Sequence, residues 1–234
     1  MSALIEFRAF ENRPDATAAA AGLLAGLVGD ALDKRPDAEA SLIVSGGSTP
    51  GPCFDLMSAI ALDWSRVTVL PSDERWVPAS DSDSNERLIR QHLLKDKAEH
   101  GRFLSFFHQG IEATEAPEVI RQDLSKLEQP FSAALLGMGE DGHFASLFPD
   151  FDGLKQALDP LGKEACVMVQ TAGSPHLRIS LTLSTLLNTT SIVLLIFGEA
   201  KRVVFDTAFR GGSAFPIESL LRHTRCPLTV IWAP

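Results

Sequence analysis

The sequence predicts an α/β fold in which a mainly parallel sheet is covered by helices on both faces, making three layers. Two observations predict it. Apolar runs of strand length (residues 40–44, 67–70, 131–136, 191–197 and 228–232) lack the alternation of a half-exposed strand, so both faces are expected to be buried. Helical patterns separate these runs, and strands alternating with helices pair in parallel through crossover connections. The chain has 234 residues and shows no internal repeat, low-complexity tract or linker. A single domain over residues 1–234 is therefore expected.

Taken in order, residues 4–10 alternate apolar and polar side chains as a first strand. Residues 14–32 are rich in alanine and leucine, and Pro14 with Asp15 makes a good helix opening. The run 40–44 enters S-G-G-S-T-P-G-P and then a helical pattern over 53–62. The strand at 67–70 ends in P-S-D-E-R-W-V-P, and a polar loop (79–84) leads to a helix with Leu88, Ile89, Leu93 and Leu94 on one face. A strand is expected at 103–107, with no evident partner for His108, then a helix at 117–127 and a strand at 131–136. That strand feeds L-L-G-M-G-E-D-G-H-F-A-S-L-F-P, residues 135–149. Residues 149–162 read as surface loop with a short helix. Strands at 165–170 and 191–197 flank a helix at 183–187, another helix runs from Gly198 to about Phe209, and 228–232 is the last strand.

Composition excludes several classes of function. Hydrophobic residues make up 45% and charged residues 22%, which is globular. The net charge of -9 argues against a nucleic-acid partner, which needs a basic face. A small anionic ligand remains compatible, because local basic residues can reverse the field inside a pocket. No apolar run looks long enough to span a bilayer, and the first ten residues carry Glu6 and Arg8 instead of a signal-peptide core. Cys53, Cys166 and Cys226 are odd in number and widely spaced, as expected of reduced thiols in a cytoplasmic protein. Cys53 lies near a glycine-rich loop. No metal is expected, since no His, Cys or carboxylate pair has zinc-ligand spacing.

In open α/β sheets, ligands bind beyond the carboxyl ends of the strands. Four polar clusters follow apolar strands here: 45–50, 72–78, 137–149 and 198–201. Gly46, Gly47, Ser48 and Thr49 offer backbone N–H groups and hydroxyls at a helix start, suited to a phosphate, although the hydroxyls could equally cap the helix. The loop is not a nucleotide P-loop, because its G-K-[ST] ending is missing. Arg75 could fork to an anion or pair with neighbouring Asp73 or Glu74. Arg178, flanked by apolar residues, suits an anion if it enters the active edge of a sheet. Lys201 sits near a predicted helix N-terminus, where the macrodipole disfavours a cation unless an anion is bound.

In the 137–149 loop, His143 is the side chain suited to proton transfer near neutral pH, and Asp141 is close enough in a tight turn to influence it. His92, His100 and His223 read as surface residues. His176, two residues from Arg178, is a candidate for a supporting role.

Together these motifs resemble the glucosamine-6-phosphate isomerase/6-phosphogluconolactonase family over nearly the whole chain. The resemblance rests on S-G-G-S-T-P, S-D-E-R-W-V-P, S-N-E-R (residues 84–87), G-M-G-E-D-G-H-F-A-S-L-F-P, P-H-L-R-I-S-L-T, G-E-A-K and P-L-T-V-I-W-A. Deaminases of this kind carry F-N-E-P where Ser146, Leu147, Phe148 and Pro149 stand, so Phe148 takes the place of their glutamate. Arg75 is likewise the lactonase form. One departure is the absence of tyrosine, with Phe54 where relatives often have one.

The resemblance implies a Rossmann-like sheet without a nucleotide. It also implies a carboxylic ester hydrolase that opens 6-phospho-D-glucono-1,5-lactone and needs neither metal nor cofactor. His143 and Asp141 would be catalytic. Gly46, Gly47, Ser48, Thr49, Arg75, Arg178 and Lys201 would hold the substrate, with Asp73, Glu74 and Asn85 in support. The oxyanion is expected to meet backbone N–H groups of residues 137–142 or a guanidinium. The expected partner is a small sugar-phosphate lactone, with no nucleic acid and no membrane, on a monomer or small homo-oligomer. The alternatives are a sugar-phosphate isomerase or deaminase, a sensing domain of a transcription regulator, and a non-catalytic binding domain.

Overall fold

Alternate residues of the central strands feed two separate hydrophobic cores, which is why those strands look uniformly apolar in sequence. Leu42, Val44, Ala133, Leu135, Val193 and Leu195 point into one core, while Ile43, Ala134, Leu136, Ile192 and Leu194 point into the other. The period of two is present, but it sorts side chains between two dry layers instead of between core and water. Each fully buried Leu or Ile contributes roughly 1.5–3 kcal/mol.

A computed structural model describes residues 4–234, so the first three residues of the amino-terminal segment lie outside it. Seven parallel strands run in the order β1 (Ile5–Ala9), β10 (Leu228–Ala233), β9 (Ile192–Phe197), β6 (Ala133–Leu136), β2 (Ala40–Val44), β3 (Val67–Pro71) and β5 (Arg102–Phe103). One face is closed by α1 (Arg13–Leu32), α2 (Gly51–Ser58) and α3 (Asn85–His92). The other is closed by α4 (Ala116–Leu124), the short α5 (Leu154–Ala157), α6 (Leu183–Leu187), α7 (Glu199–Arg210) and α8 (Ile217–His223).

Helix α1 starts where Asn12 accepts a hydrogen bond from the Asp15 N–H (2.9 Å), and Ala16, Ala20, Leu24 and Val28 then line its buried face at four-residue spacing. At 20 residues and a mean hydropathy of 1.3 over an 18-residue window, it meets the length and apolarity of a membrane span, contrary to the expectation that no run would. Half of that window is buried, because the helix lies on the sheet as a core element.

The other corrections concern short elements. A second, three-stranded antiparallel sheet pairs β4 (Asp73–Arg75), β8 (Arg178–Leu181) and β7 (Cys166–Val169). Residues 73–75 read as loop because three polar residues carry no apolar pattern, and the 165–170 run was expected in the parallel sheet. The helix expected over 53–62 ends at Ser58, and the strand over 103–107 shrinks to Arg102–Phe103 at the sheet edge. Helix α8 was not anticipated, since seven residues are too few to show a period.

Candidate active site

Strands β9, β6, β2 and β3 are neighbours and parallel, so the four polar clusters that follow them emerge on one edge. Between them lies a cleft of about 270 Å³ lined by Gly46, Gly47, Ser48, Thr49, Asp73, Arg75, Asn85, His143, Arg178 and Lys201. Every substrate-holding residue expected from sequence is therefore brought together. Asp141 lies outside the lining but touches it through His143, and Glu74 lies beneath it.

The 45–50 loop is stitched to the 137–149 loop by Ser45, which sequence reasoning did not single out. Its hydroxyl donates to the Leu135 carbonyl (2.8 Å) and accepts from the Gly137 N–H (2.9 Å). A Cβ on Gly46 would overlap the side chain of Asn85, whose amide donates to the Asp73 carbonyl (2.7 Å). Gly47 takes a φ of 90°, the left-handed region that glycine enters without penalty. Helix α2 then begins at Gly51 with no side-chain cap, which leaves the Ser48 and Thr49 hydroxyls to the cleft.

The Nδ1 of His143 lies 2.5 Å from Oδ1 of Asp141. A carboxylate only accepts, so Nδ1 carries the hydrogen, and in the neutral imidazole Nε2 keeps its lone pair. The same carboxylate oxygen accepts the His143 N–H (3.2 Å). A Cβ on Gly139 would collide with both side chains of this pair. Gly142, at φ 76°, lies against Phe215, and its carbonyl accepts from the Ile217 N–H (2.9 Å), which ties the loop to α8.

One expectation fails in part. The N–H groups of Gly137, Gly139 and Gly142 are engaged with Ser45 Oγ, the His143 carbonyl and the Gly139 carbonyl. These three donors are not aimed at an oxyanion.

The cations come from the small sheet and from α7. Arg75 and Arg178 stand directly opposite each other across β4 and β8. Like charges in that register repel, and burial together with the Arg75 charge lowers the pKa of Arg178. Arg178 is steadied by Ser174 Oγ (3.2 Å), Ser146 Oγ (3.4 Å) and Asp73 Oδ2 (3.9 Å). Arg75 donates from Nη1 to the Asp83 carbonyl, while its Nε is buried with no hydrogen-bond partner among the described residues. Lys201 faces the cleft from the first turn of α7.

Two buried carboxylates organise this wall. Asp73 accepts from the hydroxyls of Ser72 (2.9 Å) and Ser146 (2.5 Å). Glu74 accepts from the N–H groups of Arg75 (2.7 Å), Asn85 (2.7 Å) and Glu86 (2.6 Å) and from the Ser84 hydroxyl (3.1 Å). Glu74 thus caps α3 and fixes the backbone that carries Arg75 and Asn85. Burial pushes its carboxyl up to about 7, with the three backbone donors pulling the other way.

The remaining candidates fall away from the chemistry. Cys53 is buried under the loop, and burial pushes its thiol up to about 12. His176 bonds Asp83 (2.8 Å) and does not line the cleft. His92 contacts Asp55 (3.0 Å), His100 is exposed, and His108 has Asp123 at 3.8 Å. Among the described residues no group of His, Cys, Asp and Glu is arranged to hold a metal ion.

A sequence-family profile described as glucosamine-6-phosphate isomerases/6-phosphogluconolactonase matches residues 11–232. A 6-phosphogluconolactonase of Mesorhizobium japonicum is 38% identical over 228 residues, covering 97% of this chain and 95% of that protein. One from Pseudomonas aeruginosa is 38% identical over 213 residues, covering 90% and 87%. The crystal structure of a 6-phosphogluconolactonase from Shewanella baltica superposes with a TM-score of 0.92 at 36% identity, covering 98% of each chain.

Proposed function

The chain belongs to the glucosamine-6-phosphate isomerase/6-phosphogluconolactonase family, and from the cleft it builds we propose that it hydrolyses 6-phospho-D-glucono-1,5-lactone to 6-phospho-D-gluconate, in the oxidative pentose phosphate pathway. The observation that carries this is the Asp141–His143 pair in a cleft otherwise walled by a phosphate-type loop and three cations. Relatives named 6-phosphogluconolactonase support the same reading.

The His143 Nε2 takes a proton from water as the water oxygen bonds to the lactone carbonyl. The tetrahedral intermediate collapses by breaking the bond to the ring oxygen, and the imidazolium returns its proton to that oxygen. Asp141 keeps the imidazole in the right tautomer and steadies its charged form. Gly47, Ser48, Thr49, Arg178 and Lys201 hold the 6-phosphate. Arg75, whose side chain lines the cleft, is the donor assigned to the carbonyl oxygen.

Each of these groups comes from one chain, spread from Gly46 to Lys201, which supports one functional domain. Three buried free thiols suit a cytoplasmic enzyme. The test is a coupled assay in which freshly generated lactone is followed by 6-phosphogluconate-dependent NADP reduction. Ammonia release from glucosamine 6-phosphate would instead favour a deaminase.

A further inference from the structure

The His143 imidazole is tethered to Asp141 through Nδ1. One such bond leaves the ring plane free to tilt. Its face is not open, however: the centroid of the Phe148 ring lies 4.3 Å from that of His143, with 40° between the planes. The Arg178 guanidinium carbon lies 5.3 Å from the centre of the same Phe148 ring. Arg178 has Ser146, Ser174 and Asp73 as further anchors, so it does not depend on the phenyl ring for its place. Among the described residues the imidazole has Asp141 and the Phe148 ring as its side-chain contacts.

We propose that Phe148 is a positioning residue for the lactone hydrolysis, its ring holding the His143 imidazole in the plane from which Nε2 meets the attacking water. An apolar ring does this without placing a second proton-accepting group beside Asp141. Phe148 thus acts through His143, and the inference rests on the reading of His143 as the general base. Misplacing a catalytic group by about 1 Å can lower a rate by about 10²-fold, so loss of the ring is expected to reach kcat before KM.

The test is a panel of Phe148→Leu, Phe148→Tyr, Phe148→Met, His143→Ala and the double variant His143→Ala with Phe148→Leu. All are assayed for kcat and KM on the phosphorylated lactone above its spontaneous hydrolysis, and melted to confirm folding. Phe148→Leu should lower kcat by about 10- to 100-fold with KM within about twofold, and Phe148→Tyr should restore most of it. Phe148→Met reports the loss of the ring if the leucine variant does not fold. In the double variant the Leu substitution should add nothing to the loss from His143→Ala, because a residue acting through another is silent once that residue is gone. Wild-type kcat in the folded variant without the ring, or multiplicative losses in the double variant, would overturn the proposal while leaving His143 as the base. Wild-type activity of His143→Ala would instead overturn the base assignment and this proposal with it.

Discussion

Asp141 Oδ1 lies 2.5 Å from Nδ1 of His143, and the two meet because Gly139 leaves empty the space a Cβ would fill between them. In the proposed mechanism this pair sets which imidazole nitrogen acts on water. Asp141→Asn should lower kcat by ~10²- to 10⁴-fold with little change in KM, since an amide can present its NH₂ to Nδ1 and reverse the tautomer. Steady-state kinetics on the phosphorylated lactone would show it. An equal rise in KM would point to a binding role for Asp141.

Gly139→Ala tests the same geometry from the backbone side. The added methyl displaces both partners, so kcat should fall by at least about tenfold. Phosphate binding, which we propose rests on the cleft-lining loop at 45–49 and on Lys201, should persist as a nearly unchanged KM. Wild-type kcat would mean that the pair is not held as described.

Lys201→Ala removes a charge-assisted contact of about 1.5–3 kcal/mol, so the KM for the phosphorylated lactone should rise by about 10- to 100-fold. Activity on unphosphorylated gluconolactone should be unchanged. Equal losses on both substrates would count against a phosphate site at Lys201.

The burial of Glu74 gives stability a pH dependence, against the pull of the backbone donors it caps. Its carboxyl is raised from the ordinary 4.5 to about 7 in the folded protein by burial, so the folded state binds the proton more tightly than the unfolded chain. The resulting contribution is fully present below about pH 4.5 and is lost as pH rises through about 7. Urea unfolding of wild type and Glu74→Gln should show the wild-type advantage narrowing across that window. An advantage that widens with pH would contradict the assignment.

Much of this was legible in the sequence, for a physical reason. The residues that follow β2, β6 and β9 are polar and glycine-rich directly after apolar runs, and parallel strands bring such loops to one edge. The small sheet was not legible. Asp73, Glu74 and Arg75 form a strand by pairing with Ser180, Ile179 and Arg178, about a hundred positions away, and three polar residues show no period. Long sequence separation also hid the Ser146–Asp73 bond, 73 positions apart, and the facing arginines. The glycine N–H groups of the 137–142 loop looked free because a sequence shows donors but not the acceptors, such as Ser45, that claim them.

The central claim is that His143 is the base for lactone opening. The most direct measurement compares wild type with His143→Ala on freshly generated 6-phosphogluconolactone, following 6-phosphogluconate by coupled NADP reduction and subtracting spontaneous hydrolysis. The account predicts a kcat lower by ~10²- to 10⁴-fold in the variant, with KM nearly retained. A variant that turns over at the wild-type rate would contradict it.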